Sequence, residues 1–156
     1  MSIGLYIVLA PLYLKSVRKL QEKRFVFVKI LAIIIPENGA KVSKIKCFQF
    51  AQQTLSIFLD NAVSYSKENS NIEILTSQTS KEFTFLVVDH GCGIAEKDKP
   101  FIFDRFYCAD KSRTNKAHFG LGLSIAKELA KMLSGKIGFS DTSGGGTTFF
   151  LTLPIK

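Results

Sequence analysis

Apolar residues recur at intervals of three and four from Cys47 to about Tyr65, at Phe48, Ala51, Leu55, Phe58, Leu59 and Ala62. That period lines one face of a helix. The polar run Lys67-Glu68-Asn69-Ser70-Asn71 breaks it. Residues 72–76 and 82–88 then carry the short, β-branched and aromatic runs of an antiparallel strand pair. A second helix is expected over 121–133, ended by Ser134-Gly135 in the manner of a C-cap. Residues 136–140 and 147–153 read as closing strands around a turn that holds Gly144-Gly145-Gly146. Upstream, 25–35 (RFVFVKILAII) alternates poorly and reads as a buried strand. Pro36-Glu37-Asn38-Gly39 is a turn signal, and 15–24 a short basic connector. Residues 95–119 are polar and loop-like, with an aromatic island at 101–107. No segment repeats. The expected architecture is an α/β (α+β) two-layer sandwich, a mixed and mostly antiparallel sheet covered on one face by helices.

Composition changes this picture little, and charge changes it in one place. A chain of 156 residues, 46% of them apolar, holds enough to bury the core of one domain. The three cysteines, Cys47, Cys92 and Cys108, are odd in number and form no Cys-x-x-Cys pair, which points to a reducing compartment rather than a disulfide frame or zinc site. The net charge of +8 is uneven: residues 1–50 hold 9 basic and 2 acidic residues, so +7 sits in the first third. The basic cluster from Lys15 to Arg24 lacks interleaved aromatics, so nucleic acid is not expected as a partner. Residues 1–14 are uncharged and mostly apolar, but shorter than the about 20 residues that span a bilayer. They read either as a packed terminal element or as the end of a membrane anchor with a basic flank. The expected division is therefore 1–24, an apolar then basic segment, and 25–156, one domain.

Three segments carry candidate chemistry. Asn61, in Leu59-Asp60-Asn61-Ala62, lies late in the first helix and offers a neutral oxygen of the kind Mg²⁺ accepts. Tyr65, one turn on, shares its face and can stack on a flat base. Asp89 ends the strand Phe85-Leu86-Val87-Val88, where its carboxylate can accept from an exocyclic amine, and Gly91 and Gly93 let a base lie close to the backbone. Gly120-Leu121-Gly122 opens the second helix, whose free N–H groups suit phosphates. Read singly, each has a plain alternative: a polar helix face, a turn, a helix start. His90 and Cys92 have no evident role.

Taken together and in order, residues 46–154 closely resemble the catalytic ATP-binding domain of sensor histidine kinases, in the Bergerat-fold superfamily shared with gyrase, MutL and a heat-shock chaperone. LDNAVSY is similar to the N box, VVDHGCGI to the first glycine box and IFDRFYCADKSR to the F box. FGLGLSIAKELAKMLSGKI resembles the second glycine box and its helix, and GGGTTFFLTLP the final hairpin. The resemblance implies a protein-histidine kinase catalytic domain using ATP and Mg²⁺. It implies that Asn61 ligates Mg²⁺, Tyr65 packs on adenine, Asp89 binds its amino group, and Gly91 and Gly93 shape the pocket floor. Gly120, Leu121 and Gly122 would meet the phosphates, Thr148 would line the adenine end, and 95–119 would be a lid that nucleotide orders. Ile94, Tyr107 and Leu123 are assigned to the nucleotide site with them, and Arg105, Lys111 and Arg113 are candidate phosphate or partner contacts.

The chain departs from the family pattern at Ser64, where a basic residue is common, at Ala117-His118 in place of Gly-Gly, and at Cys108 in place of Arg. Its histidines are His90 and His118, and neither is followed by the acceptor pattern His-Glu-x-x-x-Pro. The phosphoryl acceptor is therefore expected on a separate dimerisation and phosphoacceptor hairpin, with a response regulator served indirectly. The parent protein is expected in the cell membrane with this domain in the cytoplasm, monomeric in isolation. A non-catalytic nucleotide-binding module, an anti-sigma Ser kinase and an ATPase of the gyrase type are the other readings. Ile57 stands four residues before Asn61, where the gyrase-type ATPases carry a general-base Glu.

Overall fold

The structure is a computed structural model that describes residues 42–66, 70–109 and 120–155. The expectations for 1–41 and for Lys111, Arg113, Ala117 and His118 lie outside these residues.

Helix α1 (Val42–Tyr65) buries Ala51, Thr54, Leu55, Phe58, Leu59 and Ala62, the stripe that the three-four spacing demands. It begins five residues before Cys47, because no Gly or Pro lies between Ala40 and Tyr65 to stop it. Thr54 is a hydroxyl on the buried face. It stays satisfied by donating from Oγ1 to the Phe50 carbonyl one turn back, at 2.9 Å.

Strands β1 (Glu73–Gln78) and β2 (Glu82–Val88) form the expected hairpin. Thr79 closes its turn, with Oγ1 accepting the N–H groups of Lys81 and Glu82 at 3.2 and 3.0 Å. The chain then crosses over through turns and helix α2 (Gly122–Met132) to strands β3 (Lys136–Asp141) and β4 (Thr147–Pro154). The sheet order is β1-β2-β4-β3, and every pairing among the described strands is antiparallel.

Alternation along β2 and β4 sends Phe85, Val87, Phe149 and Leu151 to the face covered by the helices. Phe58 stacks on Phe149 with ring centroids 5.2 Å apart, and is itself wholly buried. Phe149 also meets Phe139, which meets Phe103, so one aromatic chain ties helix, sheet and the 95–109 turns together.

Helix α2 ends in a Schellman motif. Gly135 N–H reaches the Ala130 carbonyl and Ser134 N–H the Lys131 carbonyl, both at 2.9 Å. The left-handed position falls on Ser134 (φ 54°) rather than on Gly135. Gly135 is needed for space instead: a Cβ there would stand 2.6 Å from the Thr152 carbonyl oxygen.

Candidate functional site

The C-terminal half of α1, the end of β2, the β3–β4 turn and the start of α2 surround a cavity of about 1630 Å³. That exceeds the roughly 300–1000 Å³ of common ligand clefts, because the cavity runs open from Asp89 to the turn at Gly120.

Asp89 forms the floor at one end. It is 3% exposed, and its Oδ1 accepts two backbone N–H groups, from Gly91 at 2.9 Å and from Thr147 at 3.1 Å. Oδ2 has no hydrogen bond among the described residues. Oδ2 is not sealed from solvent, so it stays open to a donor that enters the cavity. The backbone around Asp89 admits nothing larger than glycine. A Cβ on Gly146 (φ 111°) would stand 2.1 Å from the Asp89 carbonyl oxygen, and one on Gly91 would stand 2.4 Å from the Tyr65 carbonyl oxygen. The turn after β2 is thus pressed between the end of α1 and the β3–β4 turn.

Asn61 and Tyr65 both line the cavity from α1, Asn61 half-buried and Tyr65 41% exposed. Gly93 and Ile94 line it beyond Asp89. Gly91 does not; it acts as the close-packed spacer against Tyr65. At the other end Gly120 (φ 68°) accepts the Phe106 N–H at 2.9 Å, which clasps the F-box segment to the start of α2. Gly122 and Leu123 line the cavity there. A Cβ on Gly122 would stand 3.3 Å from Cγ2 of Ile57, so α2 begins directly against α1. Leu121 is the N-cap of α2 and lies outside the cavity wall, its carbonyl accepting from Ser124 Oγ and the Ile125 N–H at 2.8 and 2.9 Å. No side chain caps this helix start, so its first N–H groups stay available at the cavity's edge.

Besides Gly91 and Leu121, two more expected residues lie outside the wall. Thr148 projects from the face of β4 away from the helices, where its Oγ1 bonds Thr142 Oγ1 at 2.9 Å; strand alternation gives its place in the cavity to the buried Thr147. Arg105 is exposed and outside the wall, and its charge acts on Glu128 of α2. Tyr107 does line the cavity, and donates its hydroxyl to Asp98 Oδ1 at 2.7 Å, which holds its pKa above the usual tyrosine value.

Sequence reasoning passes over three residues here. Asp98, 8% exposed, anchors Tyr107. Lys99 bridges Glu96 and Asp141, and the hydrogen bond to Asp141, then that to Glu96, raises its pKa. Both read as ordinary polar loop residues, and no spacing marks them. Thr147 does carry a signal: it lies two residues before Phe149, hence on the same face. Residues 95–109, expected as open loop, are a series of turns that sinks Ile102 into the core at 8% exposure.

Among the described residues, no group of three or more His, Cys, Asp or Glu is placed to hold a metal. No described helix is long and apolar enough to cross a membrane.

Residues 48–156 match the family model described as histidine kinase-, DNA gyrase B-, and HSP90-like ATPase. The sensor protein CiaH of Streptococcus pneumoniae is 43% identical over 106 residues, which cover 67% of this chain and 24% of that protein. The signal transduction histidine-protein kinase ArlS of Staphylococcus aureus is 44% identical over 107 residues, 68% of this chain and 24% of that one. The chain thus spans about a quarter of the length of these curated relatives. Among solved structures, the catalytic domain of histidine kinase ThkA superposes with a TM-score of 0.60 at 27% identity, over 69% of this chain and 68% of that one. Full-length ShkA in complex with AMPPNP superposes with a TM-score of 0.59 at 28% identity, over 69% of this chain and 22% of that one.

Proposed function

The chain belongs to the family of histidine kinase-, DNA gyrase B- and HSP90-like ATPases, and from that premise we propose that it is the ATP-binding catalytic part of a two-component sensor histidine kinase. It delivers the γ-phosphoryl group of ATP to a His on a dimerisation and phosphoacceptor hairpin, and a response regulator receives it afterwards. The observation that carries this reading is Asp89. Its Oδ1 is fixed by two backbone N–H groups, while Oδ2 has no partner at the floor of a cavity that ends on an uncapped helix N-terminus. An adenine amino group is the donor that Oδ2 lacks, and phosphates are the anions that free N–H groups attract.

The residues fit such a nucleotide. Tyr65 lines the cavity together with Asp89, and Gly93 and Gly146 keep side chains out of the base end. Asn61 contributes one neutral oxygen, and the described residues place no acidic cluster beside it. That suits Mg²⁺, which keeps waters and takes phosphate oxygens for the rest of its shell, and which would neutralise phosphate charge when bound. Ile57, against Gly122, provides no proton acceptor one turn before Asn61. Water is then poorly activated, whereas a His imidazole attacks without a base at that position. This favours transfer to an acceptor over ATP hydrolysis.

The apolar then basic segment 1–24 is assigned as a linker or membrane-flanking segment, on its charge asymmetry. The parent protein is assigned to the cell membrane, with residues 25–156 as its cytoplasmic catalytic domain. Titration calorimetry tests the site. ATP·Mg²⁺ should bind and GTP·Mg²⁺ should bind at least about tenfold more weakly, as a site matched to an amino group rejects a carbonyl. Equal affinities would exclude the role given to Asp89. Addition of a cognate hairpin with an acceptor His should yield acid-labile phosphate on the hairpin and none on this chain.

A further inference from the structure

Lys99 and Asp141 both line the cavity, yet they lie 42 residues apart in the chain. Lys99 belongs to a wall drawn from residues 94–99, and Asp141 to a wall drawn from residues 141–147. The Lys99 ammonium crosses between them, donating to Asp141 Oδ2 at 2.8 Å. It also meets Glu96 of its own wall, and its side chain is only 21% exposed. The Lys99 backbone is held on the near side. The Asp98 and Lys99 N–H groups bond the Ala95 carbonyl at 2.8 and 3.2 Å, and the Asp98 side chain is committed to the Tyr107 hydroxyl. On the far side, Asp141 is the last residue of β3 and the register partner of Thr147. Thr147 in turn donates its N–H to Asp89 Oδ1 at 3.1 Å and accepts the Asp89 N–H at 2.9 Å. A restraint on Asp141 therefore acts on the strand end that holds Asp89.

We propose that Lys99 is a positioning residue for the nucleotide: its ion pair with Asp141 tethers the two walls and sets the width of the base end before a base arrives. The inference rests on the nucleotide reading above. Lys99 acts through Asp141 and Thr147 rather than on the ligand. Without the tether, the walls are ordered only as the ligand binds, and that ordering lowers affinity. The loss is bounded by the strength of the pair. Ion pairs open to solvent are weak, so about twofold to fivefold in affinity is expected. The sign separates this role from plain electrostatics. ATP is an anion, so by charge alone the loss of an acid from the rim raises its affinity and the loss of a base lowers it. A tether requires that the loss of either partner lowers it.

Titration calorimetry with ATP·Mg²⁺ on the full chain, at one fixed ionic strength, reads this sign. Lys99→Met and Asp141→Asn should each bind about twofold to fivefold more weakly than the unsubstituted chain. The double variant should be no weaker than the weaker single one, since both remove the same contact. Lys99→Arg keeps the charge and the reach, and should bind as the unsubstituted chain does. Glu96→Gln removes the same charge from the same rim but leaves Lys99 on Asp141, and should not lower affinity. In Lys99→Met the Thr147 amide should exchange faster, while the amides of the β1–β2 pairing stay as they were, which a general loss of stability would not give. An Asp141→Asn chain that binds ATP as tightly as the unsubstituted one, or more tightly, would overturn the inference. So would equal losses in Glu96→Gln and Asp141→Asn. The Asp141 side chain is 65% exposed, so its variant carries the test even where Lys99→Met fails to fold. Absence of ATP binding by the unsubstituted chain would instead sink the nucleotide reading, and the same titration reads that before any substitution.

Discussion

At the Asp89 end of the cavity, two hydrogen bonds to one carboxylate oxygen and two glycine contacts leave the backbone a single arrangement. At the Gly120 end, the Phe106 N–H is the clasping bond among the described residues, and Phe106 itself holds a positive φ of 64° with 72% of its surface exposed. The first end is a preformed recognition surface, which costs a ligand little ordering. The second is strained at a non-glycine residue, Phe106. On the proposed reading, the pinned end would choose the base and the strained end would meet the phosphates.

The strongest way to break this contrast is Gly146→Ala. Its Cβ would meet the Asp89 carbonyl oxygen at 2.1 Å, backbone against backbone, at a φ of 111° that alanine rarely adopts. A loss on the order of 3 kcal/mol of stability is expected in urea denaturation, together with loss of ATP binding. Gly120→Ala is expected to cost less, about 1–2 kcal/mol, because at its φ of 68° the nearest backbone atoms, of Phe106 and Tyr107, would stand 2.7 Å from the Cβ rather than 2.1 Å. A larger loss at Gly120 than at Gly146 would invert the comparison.

Asn61→Ala comes next in size. ATP affinity in Mg²⁺ should fall by about tenfold, towards the value measured in EDTA, which removal of one polar contact predicts. Unchanged Mg²⁺ dependence would move the metal elsewhere. Hydrogen exchange then sharpens the contrast without any substitution. The Gly91 and Thr147 amides should exchange slowly in the free chain, while those of Phe106 to Ala109 should exchange faster and slow down on addition of ATP. Slow exchange of both sets in the free chain would remove the distinction between the two ends.

The smallest effect is at Tyr107. Its hydrogen bond to Asp98 raises the pKa above 10.0, so its stabilising contribution is full below pH 10 and is lost as pH rises through the raised value. Tyrosinate absorbance should show one late-titrating phenol that Asp98→Ala returns to the ordinary range. If Asp98→Ala leaves the titration unchanged, the bond does not hold in solution.

Much of this molecule is written in its sequence. The spacing of Ala51, Leu55, Phe58, Leu59 and Ala62 is enough for α1, because a helix has one period and one buried stripe. The ordered boxes around Asn61, Asp89 and Gly120 come together on one cavity. What stays hidden depends on contacts between distant segments. The family resemblance points to Thr148, whereas alternation carried back from Phe149 points to Thr147. Asp98 is buried only because the turns of 95–109 fold onto the sheet through Phe103 and Phe139. Gly91 and Gly135 resemble flexible turn residues, yet their role is close packing against carbonyls of Tyr65 and Thr152.

The proposed nucleotide site centres on Asp89 Oδ2, and Asp89→Asn tests it directly. If the side chain keeps its native orientation, the amide oxygen retains the Gly91 and Thr147 N–H groups while the amide nitrogen replaces Oδ2, so a donor confronts the adenine amino group. Titration calorimetry should show ATP affinity reduced by about 10- to 150-fold, as loss of a hydrogen bond to a charged group predicts. Thermal unfolding of the same sample should shift by only a few degrees. An unchanged ATP affinity in a folded Asp89→Asn chain would contradict the assignment of this cavity as an adenine site.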